Sequence, residues 1–441
     1  MVTEQDPDSL ADEDAKDTTR KPHPIARAVN TAVRSARDID ECDAEFVNAA
    51  DQHKHHALEG VIAELKQLRD EARAALPDTL PGGARVQRLF DVIRRSDRIA
   101  GTRRGATLRT SLLLGLFSAF DAFIGDLVSA LFERKPELFK KLNGQVPISE
   151  VLEARSIDDL RREILADEVE SLRRKSYVDQ FDALEKLFDV TLTAFNRWPA
   201  FVELSQRRNL YAHCNGLISD QYVAICRKYD APMPPDARVG KRLPLDRAYM
   251  ENATRLIAEI ALKLGQTLWR KTLPSELGLA DQHLNRVALE ALQFGEWSWA
   301  SIIGEFALGQ KKWSEEQARR IAVVNQAIAL KFGGSNQAAV TLLDSFDWSA
   351  SLPEFKLANA VLREQFDLAA EVMLRIGDNG ELVEQSAYLD WPLFRDFRGT
   401  RQFAAAYESI YGEPFVVAVD SSLDAAERRA EQADQLPDTA A

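Results

Sequence analysis

The sequence predicts an all-α fold, a helical bundle followed by a domain of short, repeat-like helices, and three observations carry that expectation. Apolar residues recur at helical spacing over long stretches. Strand signals are scarce, with only Phe415–Val419 and Gln221–Ile225 reading as short extended runs. Breaker clusters rich in Pro and Gly punctuate the chain at Leu76–Gly83, Ala231–Pro244 and Leu273–Gly278. At 441 residues, 45% hydrophobic and 28% charged, the chain has material for two or three domains of ordinary globular composition. Collagen-like, wholly disordered and disulfide-scaffold classes are excluded.

Taken in order, residues 1–37 read as an acidic, disordered tail, since residues 1–20 hold seven acids against Lys16 and Arg20. No basic segment precedes an apolar core there, so no secretory signal is expected. Residues 38–83 make an N-terminal helical segment, with Leu, Ala and acids at helical spacing until the first breaker cluster. Residues 84–273 form the bundle. Its most apolar stretch, Leu112–Val128, approaches membrane-spanning length, but it holds Asp121 and Asp126, and a carboxylate in lipid costs on the order of several kcal/mol. A buried core helix is expected there, and no membrane. The Pro-rich loop Ala231–Pro244 interrupts the bundle and an amphipathic helix, Tyr249–Lys271, closes it. Short amphipathic helices fill 276–415, and 420–441 is a second acidic tail. Cys42, Cys214 and Cys226, odd in number and without a CxxC pair, fit a reducing cytoplasm and form no zinc ligand set.

The net charge is −13, of which residues 1–20 and 420–441 hold nine. Between Arg85 and Arg109, by contrast, eight arginines face only Asp91 and Asp97. That stretch reads either as a phosphate-facing patch or as a solvated helix face.

No GxSxG, GxxxxGK[ST], HExxH or GxGxxG sequence occurs, which disfavours most large enzyme families. Of the six histidines, His23 lies beside two prolines in a segment that reads as flexible, and His283 reads as an exposed polar residue at a helix start. His53, His55 and His56 form HKHH, a weak metal candidate or a solvated polar face. His213 stands apart. It lies in a helix expected from Trp198, with Pro199 in the first turn, to Asn215-Gly216. Asn209 and His213, four residues apart, share a face, so the amide can orient the imidazole. Arg208 can wrap back to hold a phosphate beside the ring, or these groups can be solvated at a helix end. Asp121 interrupts the apolar helix beside a stripe of small residues, Ser111, Gly115, Ser118, Ala122, Gly125 and Ser129. It reads as a partner for Arg208 or as an exposed carboxylate.

The string Arg208-Asn209-x3-His213, followed by Asn215-Gly216, Leu217-Ile218 and Tyr222, resembles the signature helix of HEPN domains (higher eukaryotes and prokaryotes nucleotide-binding). Leu112–Phe139 is similar to the long first core helix of that fold, Ser176–Val190 to the helix before the motif, and the likeness covers roughly residues 84–273. The resemblance implies a metal-independent endoribonuclease without cofactor, deployed as a bacterial toxin or antiviral effector against tRNA or other RNA and paired as a homodimer. It places catalysis on Arg208, Asn209 and His213, with Asp121 fixing the guanidinium. Histidine is a base suited to neutral pH, and arginine stabilises charge on the phosphorane. The alternative is a catalytically inactive module of the same kind that binds nucleotide or RNA or serves as a scaffold. Asn215 stands where some members carry a tyrosine that a partner enzyme modifies, which puts that route of silencing in doubt. In the C-terminal part, Phe294–Ile303 matches Arg363–Met373 at an offset of 69 residues, about twice the tetratricopeptide period. With Trp391–Gly412 this resembles a bacterial tetratricopeptide-like domain over roughly 276–415. It implies a groove for a protein partner or trigger, the alternative being a helical cap without ligand.

Overall fold

Apolar residues at helical spacing fold as helices throughout, and among the described residues no strand forms: the protein is all-α, about 77% helical in 18 helices. The structure, a computed structural model, describes residues 22–74, 83–142 and 146–420, with 423 and 427. The chain divides into two compact units at the Pro274–Ser275 bond. The two stretches expected to be extended are helical; in Gln221–Ile225 the apolar residues belong to a helix burying Tyr222 and Cys226 on one face.

In the first unit the helices are α1 (Pro24–Cys42), α2 (Asn48–Ala74), α3 (Gly83–Ala100), α4 (Arg104–Arg134), α5 (Ile148–Glu153), α6 (Ile157–Arg173), α7 (Tyr177–Phe188), α8 (Trp198–His213), α9 (Asp220–Lys228) and α10 (Arg247–Thr272). From Pro24 on, helix α1 stands where a disordered tail is expected over 1–37. It starts at Pro24, whose missing N–H falls where no intrahelical bond is lost. His23, far from flexible, caps it: Nδ1 accepts the Ile25 N–H at 3.3 Å, and the ring stacks on Trp269 with centroids 4.3 Å apart. Ile25, Ala28, Val29 and Ala32 give an apolar stripe buried against α4 and α10. A Cβ at Gly265 of α10 would meet Val29, so glycine there allows the close approach. The segment 38–83 is helical over its described residues and belongs to the unit that ends at Pro274. Most of both tails and the Leu76–Gly83 break lie outside the described residues.

A π turn, Asp43–Val47, joins α1 to α2 and is locked by charge. Fully buried Asp43 accepts from Arg109 Nε at 2.6 Å and from Arg247 at 3.4 Å, and Arg247 also holds Asp40 at 2.6 and 2.9 Å. Helices α2 and α3 pack through Val61, Leu68 and Val92. Lys54 donates to the carbonyls of Ala100 and Thr102 at 3.1 and 2.8 Å, capping α3 with a cation at the end where its carbonyls are unpaired.

Helix α4 is the centre of the unit. One window in 86–134 has mean hydropathy 1.7, apolar and long enough to cross a membrane. Here Leu113, Leu116, Phe117, Phe120, Phe123 and Ile124 are buried in the core. Of the small-residue stripe, Ser111, Gly115, Ser118 and Ala122 are exposed, while Gly125 is buried with the Arg173 guanidinium where its Cβ would stand.

The second unit comprises α11 (Leu277–Gln293), α12 (Trp297–Leu308), α13 (Glu316–Phe332), α14 (Asn336–Asp344), α15 (Pro353–Leu362), α16 (Phe366–Ile376), α17 (Gln385–Asp390) and α18 (Arg401–Tyr411). Successive helices pair through short loops, and α13 packs on both α11 and α15. Trp297 and Phe366 open the second helices of the first and third pairs, which accounts for their spacing. The intervening second helix is α14, with Ala339 buried. First helices start at Leu277, Glu316 and Pro353, 39 and 37 residues apart, a longer step than the tetratricopeptide period. His283 is buried inside α11, not exposed at its start.

Candidate functional site

Helix α8 is built to hold its C-terminal end in a fixed place. Phe201, Val202 and Leu204 are buried, and Phe201 sits among the rings of Phe120, Tyr177 and Phe181 with centroids 5.7, 6.0 and 5.4 Å away. The helix ends at His213. Cys214 and Gly216 N–H groups both return to the Leu210 carbonyl, at 2.8 and 3.0 Å, through Asn215 (φ 52) and Gly216 (φ 76) in the left-handed region. This is the stop that Asn-Gly announces.

The two adjacent arginines of the helix have opposite environments. Arg207 is buried: its guanidinium bonds Glu203 through Nε at 2.8 Å, donates to the Pro244 carbonyl at 2.9 Å, and lies over the Tyr249 ring at 3.8 Å. Tyr222 and Tyr249 hydroxyls also donate to Glu203, each at 2.7 Å. Burial first, and then the Glu203 charge, push both tyrosines far above their ordinary range, so they stay neutral donors. Arg207 therefore belongs to the framework.

Arg208 is half-buried and turns the other way. Its carbon end sits 5.9 Å from the ring centroids of both Phe117 and Tyr177, its Nη1 donates to Asn209 Oδ1 at 3.1 Å, and its Nε is buried without a hydrogen-bond partner among the described residues. Asp121, on α4, is near enough for its charge to act on Arg208, yet among the described residues no hydrogen bond or ion pair joins them. The expected direct pair is thus corrected to a through-space one. Tyr177 is the group beside the carboxylate, and Arg173 Nε donates to the Asp121 backbone carbonyl at 3.1 Å. Burial lifts the Asp121 carboxyl above its ordinary value, against the lowering effect of the Tyr177 hydroxyl and of the Arg208 and Arg173 charges. Its Oδ1 is buried and, among the described residues, unbonded.

His213 is exposed about 7.5 Å farther along the helix axis, at a rise of about 1.5 Å per residue. Among the described residues nothing bonds its ring. Asn209 does not orient it as expected, because its amide oxygen is turned to Arg208. The structure thus gathers Arg208, Asn209 and Asp121 with Tyr177, and leaves His213 about one and a half turns on. Tyr177 and Arg173 have no signal in sequence beyond a helix N-cap at Ser176, because only the packing of α6 and α7 brings them near α4.

The other candidates are dispersed. Of the Arg85–Arg109 stretch, Arg109 is spent on buried Asp43, Arg88 and Arg95 both reach Glu64, Arg94 reaches Asp91, and Arg104 approaches His53 Nδ1 at 3.4 Å. Arg88, Arg95 and Arg109 thus join neighbouring helices, while Arg94, Arg98 and Arg103 stay exposed. His55 pairs with Glu59 at 3.2 Å. Among the described residues no three of His, Cys, Asp and Glu converge as a metal would need. Comparison of the chain with models of known families, with curated proteins and with solved structures finds no match.

Proposed function

We propose that the chain is a metal-independent endoribonuclease of the HEPN type that acts on RNA, tRNA included, as a cytoplasmic toxin or antiviral effector. The observation that carries this reading is a half-buried arginine held near Asp121 and two aromatic rings on the same helix as an exposed histidine. In the proposed reaction His213 takes the proton of a ribose 2′-hydroxyl, whose oxygen attacks phosphorus. The bond to the 5′-oxygen breaks, a cyclic phosphate remains, and Arg208 stabilises the charge on the phosphorane. The departing oxygen needs a proton, and one chain offers a single histidine in the motif. A homodimer completes the set, its two copies approaching over the exposed small-residue face of α4. The second unit, with its stacked helix pairs, is the place for a protein partner or trigger.

One observation favours a second reading, a catalytically inactive RNA-binding or scaffolding protein: no group bonds the His213 ring among the described residues. The test is RNA cleavage by the purified full chain in excess chelator, wild type against His213→Ala and Arg208→Ala, with product ends identified and sedimentation run in parallel. Cyclic-phosphate ends lost in both variants support the ribonuclease. Equal cleavage by wild type and both variants, or none by wild type, overturns it.

A further inference from the structure

The chain just past the motif helix folds back against it as a short ribbon. Ile218 N donates to Lys241 O, Gly240 N to Ile218 O and Leu243 N to Gly216 O, all at 2.9 Å, and Leu217 and Arg242 form an antiparallel bridge. Residues facing each other in such a bridge project to the same side, and both of these are exposed. Two side chains of α8 pin the returning strand: Tyr211 Oη donates to Leu243 O at 2.7 Å and Arg207 Nη1 to Pro244 O at 2.9 Å. Gly216 makes the tight return possible, since a Cβ there would lie 2.9 Å from the Tyr211 ring. The ribbon is therefore hydrogen-bonded to α8 at Tyr211, Arg207 and Gly216.

Arg242 is the consequence of that geometry. Its Nη1 donates to Asn215 Oδ1 at 3.2 Å, which places the guanidinium beside the residue two after His213. Among the described residues no carboxylate pairs with it, whereas Lys241 in the same loop is taken by Asp236. The end of α8 also needs a cation if an anion is to lie there. The last carbonyls of a helix carry partial negative charge, which repels a phosphate brought to His213. A guanidinium fixed at that end cancels the repulsion.

We propose that Arg242 is a second phosphate-binding cation, taking the RNA backbone phosphate next to the one held at Arg208, so that a single strand runs along the C-terminal half of α8. The proposal rests on the ribonuclease reading. A contact to phosphate adds affinity and register without base choice.

The experiment uses the full chain, with a labelled single-stranded oligouridylate for binding in the His213→Ala background, and bulk tRNA for cleavage in the wild-type background. Arg242→Gln is expected to weaken oligouridylate binding about tenfold, to lower the slope of log affinity against log salt by about 0.7, and to act on KM rather than kcat. Arg242→Lys, which keeps the charge, is expected to restore most of the binding, and the melting temperature of both variants should match the parent. Unchanged affinity and salt slope in Arg242→Gln, while the wild type still cleaves, overturns Arg242 and leaves the ribonuclease standing. A loss that Arg242→Lys does not recover, or one that follows a lowered melting temperature, assigns the residue to loop structure and overturns it too. No cleavage by the wild type and no binding by the His213→Ala parent takes down both readings.

Discussion

Replacing Arg207 with alanine should unfold the first unit more readily, whereas the same change one residue on, at Arg208, should leave stability alone. Arg207→Ala removes two charge-assisted bonds to Glu203, the bond to the Pro244 carbonyl and the stacking on Tyr249. Glu203, only 4% exposed, keeps the two tyrosine hydroxyls but loses its counter-charge. Breaking a buried pair from one side costs about 3–5 kcal/mol, and the surviving donors place this case at the lower bound. For a unit of this size about 1 kcal/mol moves the melting temperature by about 2–4 °C, so a fall of about 6–12 °C is expected. Arg208→Ala forfeits one bond to Asn209 at a half-exposed position, and a shift below about 2 °C is expected. Thermal unfolding of the full chain by circular dichroism reads both. A cycle pairing Arg207→Ala with Glu203→Gln should return a coupling of about 2–3 kcal/mol. An Arg207→Ala protein that melts like wild type, or an Arg208→Ala protein that melts as early as Arg207→Ala, would refute the division of roles between the two arginines.

Two further outcomes are expected. Native protein titrated with a thiol reagent near neutral pH should label exposed Cys214 quickly and Cys226 only after unfolding, because burial first and the Glu203 charge second push the Cys226 thiol up to about 11; tryptic mapping of the labelled sites checks it. Asp121→Asn should melt at the same temperature as wild type or higher at neutral pH: burial holds the native carboxyl above its ordinary 3.8, so in the window above 3.8 the native state binds protons that the unfolded chain has released, and wild-type stability falls as pH rises through that window. Its pH–melting profile should lack that fall, and a variant less stable than wild type at neutral pH would show that the charged carboxylate is needed for folding.

The bundle is legible in the sequence because periodicity and stops are local. Pro199 and Asn215-Gly216 bracket α8 in sequence as they do in space, and Leu112–Val128 reads as a core helix because its two acids lie among apolar residues that pack at helical spacing. The N-terminal boundary fails for an equally local reason. The acidic composition of residues 1–20 colours the reading as far as residue 37, although Ile25, Ala28, Val29 and Ala32 already follow helical spacing. What decides the fate of that helix is Gly265, far along the chain, whose missing side chain lets α1 settle against α10.

The candidate site divides along the same line. Arg207 lies six residues before His213 and Arg208 five, so both spacings put a cation on the helix that ends at the histidine. One local signal does separate them. Glu203 stands four residues before Arg207, the spacing of a helical ion pair, and a buried face through Phe201 and Leu204 carries that pair inward. The tyrosines that complete the network, Tyr222 and Tyr249, come from α9 and α10; Tyr222 stands in the motif string, but no local pattern announces its bond to Glu203 or that of Tyr249. Tyr177 and Arg242 are hidden in the same way: each reaches the motif helix through a fold-back of the chain, the first from the start of α7 beside Asp121 and the second through the ribbon of residues 216–218 and 240–243. Sequence thus locates the helix that would carry the chemistry, while the groups that tune its charge come from elements whose approach is set by tertiary packing.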